Sequence, residues 1–83
     1  MAKFKVIAVD YEMIGSDTGL MRTISSHASF QKACDVLRAT AKKEQKELKI
    51  EWHSITMYQV LSPQGGVVRD VYVTIPLNTD ATR

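Results

Sequence analysis

The sequence predicts a two-layer α+β domain of order β-β-α-β-β: an antiparallel sheet with one long amphipathic helix packed on one face. Three observations carry this. Residues 29–48, SFQKACDVLRATAKKEQKEL, repeat apolar side chains at three- and four-residue steps, which makes one helical stripe. The flanking segments are rich in β-branched and aromatic residues and alternate with a period of two. GSDTG at 15–19 and SPQGG at 62–66 are turn chemistry that divides those segments.

The first strand is expected over residues 3–14, KFKVIAVDYEMI. Phe4, Val6 and Ala8 point one way, and Ile7, Val9, Tyr11 and Met13 the other. Apolar residues on both sides ask for a bulge or for cover on both faces. After the GSDTG turn, LMRTIS at 20–25 returns as a second strand. Ser29 is placed to N-cap the helix, whose stripe is Phe30, Ala33, Cys34, Leu37, Ala41 and Leu48. Lys42, Lys43 and Lys46 fall in its later turns, where positive charge opposes the macrodipole. Asp35 and Arg38 are three apart and can pair.

Two more strands are expected, 50–62 and 67–77, joined by SPQGG. A hairpin loop of even length sets even positions of one against odd positions of the other. Trp52, Tyr58 and Val60 then share the core face with Val71, Val73, Ile75 and Leu77, interrupted by Arg69. Ile55, Met57, Leu61, Val68 and Tyr72 fall on the opposite face. Pro76 marks a strand end or edge, and 77–83 reads as a frayed tail.

With 83 residues, the chain is expected to be one domain, 1–83. Such a chain buries only about 60% of its unfolded surface, and oligomerisation is a common remedy. A net charge of +2 is far from the strong basic bias of most nucleic-acid binders, and it excludes an acidic mimic of DNA. The single cysteine excludes an intramolecular disulfide framework. No run approaches the ~20 apolar residues of a spanning helix, and MAKFKVIAVDYEM lacks a signal-peptide cleavage pattern. A cytoplasmic protein with no membrane partner is expected.

No catalytic constellation appears. His27, His53 and Cys34 lack the paired spacing of a metal site, so no metal is expected. Cys34 lies on the apolar stripe and reads as packing, not as a nucleophile. Asp10 and Glu12 share a strand face with nothing to supply a pocket, and read as a solvated pair. GSDTG lacks the lysine of a P-loop. The expectation is a non-enzymatic protein without a cofactor.

Surfaces carry the functional lead. Ile55, Met57, Leu61, Val68 and Tyr72, extended by Ile7, Val9 and Tyr11, would make an apolar outer sheet face. Exposed apolar patches mark interfaces, and Met and Tyr are enriched there. A homodimer or a protein partner is therefore expected to bind this face. A second candidate is Arg38, Lys42, Lys43, Lys46 and Lys49, along or just after the helix, which could meet nucleic acid or an acidic surface. Tyr11, Tyr58 and Tyr72 would then be stacking platforms.

From helix to last strand the chain resembles the dodecins, small β-α-β-β flavin-storage proteins. Trp52 opens the strand after the helix, QGG turns the hairpin, and DVYVTI forms the last strand. The resemblance implies a carrier with flavin stacked on Trp52. The chain departs from the pattern in residues 15–28, and in Tyr72 where dodecins carry a polar flavin contact. Read from the residues alone, Trp52 is a core side chain at the helix end. In size and lack of motifs the chain also resembles the small proteins with which phages disable host machinery, including anti-CRISPR proteins and polymerase inhibitors. That resemblance implies a viral inhibitor of a host-defence complex.

Overall fold

The computed structural model describes residues 3–11 and 19–75. Its elements are β1 (Phe4–Asp10), β2 (Leu20–His27), α1 (Phe30–Glu44), β3 (Lys49–Ser54), β4 (Met57–Leu61) and β5 (Val67–Thr74). The five strands form one antiparallel sheet in the order β2-β1-β5-β4-β3, and α1 packs on one face of it. The expected α+β class is the one observed. Glu12 to Thr18, Pro76, Leu77 and the tail lie outside the described residues.

The segment read as a single strand over 50–62 is instead a hairpin. Ile55 and Thr56 turn the chain between β3 and β4. The turn uses neither Gly nor Pro. Ser54 Oγ accepts the Thr56 N–H at 3.1 Å and meets Thr56 Oγ1 at 3.0 Å, a side-chain substitute for backbone turn bonding. Trp52 pairs with Tyr58 across this turn.

The helix face of the sheet supplies Val6, Ala8, Tyr58, Val60, Val71 and Val73 to the core, and α1 supplies Ala33, Leu37 and Ala41. Cys34 is buried as well. Phe4 and Phe30 meet edge to face at 5.7 Å beside this core. Ser29 caps α1, its Oγ accepting the Lys32 N–H at 3.1 Å. The helix ends at Glu44 and not at 48: the Leu48 N–H returns to the Glu44 carbonyl, and Gln45–Glu47 form a turn. Leu48 still packs on the core from outside the helix.

Three strand irregularities adjust the faces. Val6 pairs with Ser25 but Ile7 pairs with Thr23, so Ile24 is the extra residue and tucks against the core. Val60 pairs with Arg69 and Leu61 with Val67, which leaves Val68 extra. Val68 therefore packs against the helix-side core and not on the outer face where alternation places it. His53 is the third, between Trp52 and Ser54. The loop from β4 to β5 is closed by the Gly65 N–H on the Ser62 carbonyl at 2.8 Å. Pro63 fits the second position of that turn, and Gly65 follows with φ +93°, open to glycine without strain.

Candidate interaction site

The outer sheet face is built from neighbouring cross-strand pairs. Thr23, Ile7, Tyr72 and Met57 lie side by side across β2, β1, β5 and β4. In the next row stand Met21, Val9, Asp70, Gln59 and Glu51. Of the residues expected to form an apolar patch, Met57 and Tyr72 are direct partners, and Ile7 adjoins Tyr72. Leu61 shares their face but lies beyond the polar row, four residues along β4 from Met57. Ile55 is at the tip of the β3–β4 turn and 74% exposed. Val68 belongs to the core side, as described. Met21, 67% exposed at the edge of the same face, is an apolar member that alternation alone did not single out.

The polar row is internally bonded. Tyr11 donates its hydroxyl to one oxygen of Asp70 at 2.5 Å, and Gln59 donates its amide to the other at 2.9 Å. The Gln59 Oε1 therefore faces His53 Nε2, 2.6 Å away, which must carry the proton. Glu51 approaches the same nitrogen at 3.5 Å. The bond to the Asp70 carboxylate pushes the Tyr11 hydroxyl pKa above its ordinary value. Five side chains, from Tyr11 just past β1 to Glu51 on β3, thus run across the sheet with their main donors and acceptors matched.

On the helix side, Arg69 explains the interruption of its apolar face. Its guanidinium pairs with Glu44 at the end of α1 and with Asp10 on β1. Glu44 also accepts the Tyr58 hydroxyl at 2.7 Å, and Asp10 accepts Arg22 at 2.6 Å. Asp10 is thus ion-paired on two sides, and Glu12, read together with it, lies outside the described residues. The bond from Arg22, aided by Arg69, holds its carboxyl below the usual range. Burial pushes the Tyr58 hydroxyl up to about 12. Tyr58 is fully buried under the helix, so it cannot be a stacking platform; Tyr11 and Tyr72 remain on the other face.

The cationic residues separate. Arg38 and Lys42, one turn apart, face the β3 edge and line a groove with Trp52. Lys43 is rotated about 100° from Lys42 on the helix surface. Lys46 lies in the turn after α1, and Lys49 pairs with Leu61 at the start of β3. They do not form one stripe. Trp52 is 42% exposed, with its ring tilted against Tyr58 at 5.0 Å; it is the outer wall of the core and not its interior.

Among the described residues there is no group of three or more His, Cys, Asp or Glu side chains placed to hold a metal ion, and no helix long and apolar enough to cross a membrane. No family model, curated protein or solved structure matches the chain. Three strands follow α1 where the dodecin pattern has two, so the likeness to dodecins rests on the place of Trp52 alone.

Proposed function

We propose that the protein is a non-enzymatic interaction module whose outer sheet face closes against a second copy of the chain. The row Ile7–Tyr72–Met57 carries this reading. Tyr72 and Met57 are large, adjacent and partly exposed, while Ile7 beside them is only 5% exposed, so Tyr72 and Met57 present the free surface of the row. The adjoining polar row supports it. Asp70 already accepts one hydrogen bond on each oxygen, so covering it would leave no orphaned carboxylate. A two-fold arrangement sets each row against its own copy, as closed dimers require.

The size of the face sets the expected strength. Five strands about 4.8 Å apart and roughly 20 Å long present about 500 Å² per copy, or ~1,000 Å² in total. That is the lower end for a specific interface, so the dimer should dissociate in the micromolar range. Tyr72→Asp or Met57→Asp puts a carboxylate in the row. Each should abolish association while circular dichroism and the unfolding transition stay close to wild type. Unfolding of both variants, or association unchanged in both, would sink the proposal.

A further inference from the structure

We infer that the groove between α1 and β3 takes an acidic, extended segment of a partner protein, added as a sixth strand on the edge of β3. The inference does not rest on the outer-face proposal, since Trp52 and Tyr72 lie on opposite faces of the sheet. Two adjoining hollows, of about 420 and 270 Å³, share Arg38 and Trp52 and so form one groove. Its helix wall is Arg38, Lys42 and Gln45; its strand wall runs from Trp52 to Ile55. Among the described residues no carboxylate lines either hollow.

Three features select the occupant. β3 ends the strand order, so one side of its backbone meets no strand among the described residues. Such an edge is a template for an added strand. The wall opposite carries two basic side chains, Arg38 and Lys42. Arg38 and Lys42 are four residues apart, a rise of about 6.0 Å along a helix. Alternate residues of an extended chain are about 6.6 Å apart. Carboxylates at positions i and i+2 of a strand lying along the helix wall would match the two cations in step. Arg38 already pairs with Asp35, but that pair is exposed on both sides, and the guanidinium has donors to spare. Trp52 and the exposed Ile55 supply apolar contact beside the charges.

Trp52 is the sole tryptophan, so its emission reports on this groove alone. The test titrates the full chain with the peptide Glu-Val-Glu-Val-Glu, its Lys-Val-Lys-Val-Lys counterpart, and the glutamate peptide N-methylated along one backbone edge. The glutamate peptide should change Trp52 emission saturably, and the lysine peptide should not. Arg38→Ala with Lys42→Ala, both at exposed positions, should weaken binding by roughly tenfold or more, as expected for two lost charge-assisted contacts. N-methylation should abolish binding, and Tyr72→Asp should leave it unchanged. No response to the glutamate peptide, equal response to both charges, or full affinity in the double variant would overturn the inference. Equal binding of the N-methylated peptide would overturn strand addition. Trp52 quenching by a planar aromatic anion such as flavin mononucleotide, with no response to the glutamate peptide, would reassign the groove to a small ligand.

Discussion

Leu37→Ala tests the assignment of the two sheet faces. Leu37 is the largest fully buried side chain of α1, and it stands in one cluster with Val6, Tyr58 and Val71. Truncating it removes buried methyl groups and leaves a cavity that a one-helix core has few neighbours to fill. Buried Leu→Ala changes cost about 2.7–5 kcal/mol. A domain of this length has roughly 4–12 kcal/mol in total, so about half the stability should go. Met57 lies on the outer face and is only partly buried, so Met57→Ala should cost under ~1 kcal/mol when the chain is monomeric. The assay is urea unfolding followed by circular dichroism, at a concentration low enough to dissociate any dimer, because association would add its own stability. With m near ~1 kcal/mol/M for a small domain, the Leu37 variant should lose at least ~2 M in midpoint with m unchanged. If Leu37→Ala costs less than Met57→Ala under those conditions, the helix covers the other face and the placement of both surfaces is wrong.

Two further predictions follow from local chemistry. The Asp10 carboxyl has its folded pKa lowered by the Arg22 bond, so its contribution is fully present above the unfolded value of about 3.9 and is lost as pH falls through the lower folded value. Asp10→Asn should therefore lower stability at pH 7 and flatten the loss of stability with acid; an acid limb identical to wild type would show that the ion pairs contribute nothing. Gly65→Ala places a Cβ on a residue at φ +93° and should cost about 1–2 kcal/mol in the same urea assay, against near zero for Gln64→Ala beside it. Equal midpoints for the two would deny the left-handed turn position.

How much of this was legible in the sequence depended on whether the signal was local. The α1 stripe was, because Ala33, Leu37 and Ala41 repeat at helical spacing and Ser29 supplies its own cap. The β4–β5 hairpin was, because Pro63 and Gly65 meet the demands of its turn. The β3–β4 turn was hidden. Ile55–Thr56 uses a serine hydroxyl in place of glycine, and the apolar alternation runs through it without a break. That continuous alternation produced the appearance of one strand with two apolar faces. Val68 was misplaced because a bulge turns one residue out of period, and nothing local announces it. Arg69 looked like an intrusion in the core face because its partners, Asp10 and Glu44, are distant in sequence. The groove was unreadable for the same reason: Arg38, Lys42 and Trp52 become neighbours only when the chain reverses after α1.

Self-association through the Tyr72 face is read directly from the solution mass, by light scattering across a dilution series. A dimer closed by this face has twice the chain mass at about 100 μM, falling smoothly toward the single-chain mass as the concentration passes through the micromolar range. A single-chain mass at every concentration up to about 1 mM, where any specific association stronger than ~4 kcal/mol would register, would contradict it.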